Sequence, residues 1–407
     1  MKFLHTGATY ALGNIASAAV PFLLLPLLTR VLGPAEYAQV VGFSLLVSLC
    51  QTVAGLNAHA MLGVIWFQRP RAEIPAFTGT AVALAIGSSL TVAPVVAITL
   101  WLLPGIGGGI TPAWGALAAL TAGANVLLQC RLVLWQSQQR PLHSAALQFT
   151  ASVLNVALSL VAVLLFSWGG DGRNAGIAAT AVLVANIALV LFYRAGELRW
   201  APDRAQLAAL MSFGLPLIVH SLAGVLLGAA DRWTVSIKLD AQALGIYGAG
   251  AQLGMVMAIL ADAFVKSYSP WIYNKLKSGL PDDRYCVVGA IYAAMPAFLG
   301  AAVLVWVGLK ALSTLLLGPQ YRAAVAILPW FMLGGAFTGM YMCTSGLYFF
   351  SGRTSLLASV TLSCALLGAT ATWLLVGRVG LQGAAIGYAL TQGVLAAITT
   401  AVAVHQG

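Results

Sequence analysis

Long apolar blocks follow one another along almost the whole chain, separated only by short polar connections. Of 407 residues, 60% are hydrophobic and 7% are charged, whereas an ordinary soluble domain carries roughly 25% charged residues. So little charge cannot coat a protein for water, and the solvent of these blocks is lipid. A membrane-crossing helix needs about 20 mostly apolar residues. That ruler predicts twelve spans, roughly 8–29, 37–61, 76–103, 113–137, 143–167, 175–194, 207–230, 243–268, 285–310, 324–350, 354–376 and 382–404. The blocks lack the alternation of barrel strands. Prolines inside them (Pro21, Pro26, Pro94, Pro216, Pro296) are tolerable in a bundle whose neighbouring helices satisfy the freed backbone groups.

The segment from Met1 to Leu25 carries a lysine and then an apolar run. That run continues through Pro26, Leu27 and Leu28 without a cleavage site, so it reads as a retained first span. With Met1 inside, thirteen of the 20 lysines and arginines fall on the inner side and seven on the outer. This bias predicts cytoplasmic termini, and the inner clusters can meet anionic headgroups. A nucleic-acid partner is not expected, because no basic, aromatic-bearing soluble module exists to hold one.

The charge-bearing connection Arg194–Arg204 divides the chain into two six-helix bundles, 1–200 and 201–407. Gln136–Arg140 matches Phe349–Arg353 at an offset of 213, and Tyr37 falls opposite Tyr247 at an offset of 210. Asn174-Ala-Gly-Ile-Ala resembles Gln382-Gly-Ala-Ala-Ile at an offset of 208 for the first residue. An even number of helices per half predicts parallel repeats about an axis along the membrane normal.

No hydrolase, kinase, P-loop or metal motif is present. The five histidines are scattered, and the five cysteines have no CxxC spacing and read as buried thiols. The longest polar connection, Tyr273 to Arg284, is too short for a catalytic domain. The expectation is therefore a transporter, with no enzymatic activity and no metal. Thr121, Asn125, Gln129 and Gln136 form a polar stripe on span four. Gln148, Ser152, Asn155 and Ser159 form another on span five. Such stripes line a wet vestibule or hydrogen-bond helix to helix. Asp262 and Lys266 sit at the favourable i, i+4 spacing within span eight, where ionisable groups often mark an ion or substrate path. His220 in span seven is a proton-responsive or a packing residue. Arg131 near the inner end of span four reaches either a phosphate or the headgroups. Asp231 and Arg232 read as a solvated helix end.

Thr29-Arg30-Val31-Leu32-Gly33-Pro34-Ala35-Glu36-Tyr37 resembles the TR-x-LGP-x-EYG signature of Wzx-type polysaccharide flippases, with Ala38 in place of the last glycine. Asp231-Arg232 followed by Leu244-Gly245-Ile246-Tyr247 is similar to that family's DR…vGiY segment. The resemblance implies an all-α, MATE-like polytopic protein of two pseudo-symmetric six-helix bundles in the bacterial inner membrane. It implies that an undecaprenyl-pyrophosphate-linked oligosaccharide is moved from the cytoplasmic to the outer leaflet by alternating access, for polysaccharide biosynthesis (O-antigen, capsule or exopolysaccharide). A polysaccharide polymerase and glycosyltransferases are then the expected partners.

On that reading Arg131 and Lys266 contact the phosphates, and Asn125, Gln129, Gln148 and Asn155 contact the sugars, with Arg30 in the signature itself. Asp262 and His220 are the coupling candidates for H+ or Na+; the membrane potential alone is the other drive. The alternatives are a cation-coupled multidrug antiporter of the same superfamily, an integral-membrane enzyme of glycan assembly, and a passive scaffold. Asp262 reads as the one clear intramembrane carboxylate, which favours an anionic substrate.

Overall fold

The computed structural model describes residues 22–104, 109–278, 280–351 and 353–406. Most of the first predicted span, 8–29, lies outside them; its end is the short apolar helix α1 (Phe22–Val31). Then follow α2 (Pro34–Val53), α3 (Ala58–Gln68), α4 (Ile74–Leu102), α5 (Pro112–Ser137), α6 (Pro141–Leu160), α7 (Gly169–Arg194) and α8 (Arg204–Lys238). The chain continues through α9 (Ala241–Ser278), α10 (Pro281–Ala311), α11 (Ser313–Leu316), α12 (Leu328–Phe350), α13 (Thr354–Val379) and α14 (Leu381–Gln406). Among the described residues, 11 helices are long and apolar enough to cross a membrane. They match the other predicted spans, and the chain is a multi-pass membrane protein.

Local chemistry sets the helix ends. Pro34, Pro112, Pro141 and Pro281 each open a helix, where a missing N–H costs nothing. Thr111 caps α5 by accepting from Trp114 N at 3.4 Å. Pro94, Pro216 and Pro296 lie inside α4, α8 and α10. α9, with 38 residues, is about 57 Å long, well beyond a hydrocarbon core of about 30 Å. Its last turns, with Lys275 and Lys277, extend past the apolar block that ends near 268.

The chain forms two compact units. Ala38–Leu222 belongs to the first; Leu25–Tyr37 and Ala223–Gly407 belong to the second. The sequence reading divides the chain at 200/201, whereas these units divide inside α8. In the first unit α5 is the central helix, packed against α3, α4 and α7, with α6 against α7. In the second α12 is central, packed against α9, α10 and α14, with α13 against α14. Counted as spans, the neighbours of the fourth are the second, third and sixth; those of the tenth are the eighth, ninth and twelfth. The same contact scheme therefore recurs six spans later. Small residues allow it: a Cβ on Gly176 would meet Ser159 N at 2.7 Å, and one on Gly387 would meet Thr372 Cα at 2.9 Å.

Candidate functional site

The first unit holds a broken helix. Between α2 and α3, Gly55, Leu56 and Asn57 take left-handed φ of 68°, 46° and 54°, a conformation costly for a leucine. The turn is built in from both sides. Ser88 Oγ accepts from Gly55 N at 2.8 Å, and Ser221 Oγ donates to Asn57 Oδ1 at 3.3 Å. A Cβ on Gly214 would fall 1.8 Å from the Leu56 carbonyl oxygen, so α8 rests directly on the break. Non-helical backbone at membrane depth persists where protein or a cavity satisfies it, and transporters use such breaks at their binding sites.

Two buried arginines organise the same unit. Arg131 on α5 is 2% exposed and forms a salt bridge with Glu197 in the α7–α8 connection. Gln138 Nε2 donates to the other Glu197 oxygen at 2.6 Å. The guanidinium also lies 4.2 Å from the Trp135 ring centroid and 4.7 Å from that of Phe192. These contacts give Arg131, expected as a phosphate anchor, partners inside the protein, and they tie the connection to α5. Arg173 is buried in the first turns of α7 and donates to Asn155 Oδ1 at 2.6 Å and to Ser159 Oγ. Asn155 is therefore a ligand of Arg173, and the span-five stripe serves helix-to-helix bonding there. Gln148 donates to Ser144 O at 3.4 Å, within its own helix. Asn125 and Gln129 are half-buried, one turn apart on α5.

In the second unit the signature segment is an interlock. Thr29 Oγ1 donates to Leu25 O and accepts from Gly318 N, each at 3.0 Å. Tyr321 Oη donates to Leu32 O at 3.0 Å, and its ring meets Tyr37 edge-on at 5.9 Å. Glu36 Oε2 accepts from Gly33 N at 3.0 Å. Arg30, expected among the substrate contacts, donates to Pro26 O in α1 and to Leu315 O in α11 at 2.7 Å each, joining the two helices. A Cβ on Gly245 would fall 1.8 Å from Pro34 O. The partner strip, Leu317-Gly318-Pro319-Gln320-Tyr321, is a shortened second copy of Leu32-Gly33-Pro34…Tyr37, which the sequence reading missed.

Asp231 is not a solvated helix end. It is 4% exposed, accepts from Tyr247 Oη at 2.7 Å, and takes the Arg232 N–H on its other oxygen at 2.8 Å. Tyr247 is fully buried, its ring 5.1 Å from that of Phe331, which in turn lies 5.7 Å from the ring of Tyr388. A small cavity of about 10 Å³ borders Asp231 together with Thr372, Tyr388 and Thr391, room for about one water or ion. A carboxylate with capacity for further partners and three hydroxyls around a space that size can hold a proton or a small cation. Asp262 and Lys266 form an ion pair at 2.6 Å with side chains 45% and 40% exposed. His220 is exposed on α8.

Residues 3–274 match the family described as "Polysaccharide biosynthesis protein". The chain belongs to that family. Lsg locus protein 1 of Haemophilus influenzae is 26% identical over 372 residues, 88% of this chain and 87% of that protein. An uncharacterized membrane protein of the same organism is 22% identical over 370 residues, covering 87% and 85%. An inward-facing multidrug resistance MATE family transporter of the MOP superfamily shares the fold with a TM-score of 0.73 at 13% identity, over 98% of this chain and 94% of that one. The lipid II flippase MurJ, in an inward closed conformation, gives the same TM-score of 0.73 and 13% identity over 98% and 87%.

Within this family member, the sequence signals fall into two groups. The signature residues Thr29, Arg30, Tyr37, Asp231, Gly245 and Tyr247 all make specific contacts inside the second unit, through the interlock or the buried carboxylate. The residues chosen for polarity alone divide: Arg131 and Asn155 are consumed by internal partners, while Asn125, Gln129, Asp262 and Lys266 keep exposed polar surface.

Proposed function

We propose that this protein is a flippase that moves a polyprenyl-pyrophosphate-linked oligosaccharide, of the undecaprenyl type, from the cytoplasmic to the outer leaflet of the bacterial inner membrane by alternating access. The observation that carries the reading is the family match over residues 3–274 in a chain that has the fold of a lipid II flippase. The eleven described spans leave no extramembrane domain for glycan chemistry among the described residues, so the reading is transport and not synthesis. A pyrophosphate bearing sugars cannot cross hydrocarbon unaided, because desolvating its charge is prohibitive. Asn125 and Gln129 offer amides to the sugars, and Lys266 offers a point charge to the phosphates.

Two drives are consistent with that substrate. An inside-negative potential pushes anions outward with about 2.3 kcal/mol per charge per 100 mV. The second is exchange for H+ or Na+, which we place at Asp231 in preference to Asp262 and His220, since Asp231 alone of the three is buried beside an ion-sized space. A multidrug antiporter of the same fold is the second reading, supported by the equal likeness to the MATE transporter. The termini are cytoplasmic in this scheme, and glycosyltransferases and a polymerase act before and after the flip.

Complementation decides between the readings. A strain lacking its polysaccharide flippase accumulates lipid-linked glycan on the inner leaflet; expression of this chain should relieve that accumulation. Failure to relieve it at normal protein levels, with acquired resistance to cationic drugs, would favour the antiporter.

A further inference from the structure

The second unit contains a cavity unconnected with Asp231 or the interlock. It encloses about 350 Å³ between α9, α10, α12 and α14, and its walls include Val287, Ile291, Leu347 and Val402. Arg284 and Arg353 also line it. Val287 and Ile291 are each 2% exposed, so the deep part is lined by apolar side chains, while both arginines reach the surface. The location is informative. α9 ends at Ser278, α10 begins at Pro281, α12 ends at Phe350 and α13 begins at Thr354, so the arginines stand where helices leave the apolar layer, at headgroup level.

An apolar pocket of this size suits a hydrocarbon chain, and two guanidiniums at its mouth suit a phosphate by their planar forks. We propose that this cavity is a binding site for an anionic phospholipid, with its phosphate on Arg284 and Arg353 and an acyl chain along Val287, Ile291 and Val402.

The test is native mass spectrometry of the full chain in detergent, titrated with dioleoyl-phosphatidylglycerol or dioleoyl-phosphatidylcholine. The wild type should retain the anionic lipid in preference, and the double variant R284Q/R353Q should bind it at least about tenfold more weakly, the loss of roughly one charge-assisted contact. Ala403→Phe fills the same cavity and leaves both arginines in place. It should also lose the lipid, and it serves as the reading if the double variant does not fold. Unchanged preference for phosphatidylglycerol in either folded variant overturns the proposal. Full displacement of the lipid by millimolar inorganic phosphate overturns it too, since the site would then be one for a free anion. The result is independent of whether glycan flipping is observed.

Discussion

Tyr247 Oη donates to Asp231 Oδ2 at 2.7 Å inside the second unit, joining the α9 Gly-Ile-Tyr segment to a buried carboxylate on α8. If this carboxylate takes the coupling ion, its charge and its hydrogen bond are separable. Asp231→Asn keeps the shape and removes the charge; it should fold and lose acceleration of transport by an imposed pH or Na+ gradient. Tyr247→Phe removes a bond to a charged group, worth about 1.5–3 kcal/mol, and should lower stability while keeping the gradient response. Proteoliposome transport with and without a gradient separates the two. A full gradient response in Asp231→Asn removes this residue from coupling.

Arg131 should prove structural. Its removal strands Glu197, and breaking one side of a buried pair costs about 3–5 kcal/mol. Arg131→Ala should therefore reduce abundance and thermal stability, while the double variant Arg131→Met, Glu197→Met should recover both, with transport. An Arg131→Ala protein of normal stability and no transport would return Arg131 to the substrate path.

Gly318 and Gly289 make a matched pair. A Cβ at Gly318 would meet the Thr29 carbonyl oxygen at 2.0 Å, while one at Gly289 meets nothing within 4 Å. Gly318→Ala should destabilise by about 1–3 kcal/mol or more. Gly289→Ala, in the middle of α10, should be neutral or gain up to about 1 kcal/mol. Melting of detergent-solubilised protein, followed by size exclusion, measures both.

The break between α2 and α3 is set by Gly55, whose φ is 68° and whose added Cβ would lie 2.6 Å from Val126 Cγ1. Gly55→Ala should cost about 1–2 kcal/mol for the left-handed backbone plus the clash. Ser88→Ala, which removes only the acceptor for Gly55 N, should cost about 0.5–1.5 kcal/mol. The same melting assay ranks them, and equal effects would mean the break is not held by Gly55.

The spans were legible because block length in lipid is a one-dimensional property, and the helices beyond the first follow it. The ruler shortened α9 because Lys275 and Lys277 continue the helix after hydrophobicity ends. The site was harder to read for a physical reason: buried charge is defined by its partner. Arg131 finds Glu197 across 66 residues of sequence, and nothing local to either marks the pair. Asp231 stands beside Arg232 where the apolar block fades, which reads as a helix end, yet α8 runs on to Lys238 and buries it. The Leu32-Gly33-Pro34…Tyr37 segment was visible as a signature. Its docking partner at Gly318–Tyr321 was equally visible as a repeat of the same letters, and comparing the chain with itself would have found it.

The most direct test uses purified protein in liposomes with a fluorescent polyprenyl-pyrophosphate oligosaccharide in both leaflets and a membrane-impermeant quencher outside. Quenching should proceed beyond the outer-leaflet half towards completion when the protein is present, faster with the inside negative. Quenching that stops at the outer-leaflet half under every imposed potential and ion gradient would contradict it.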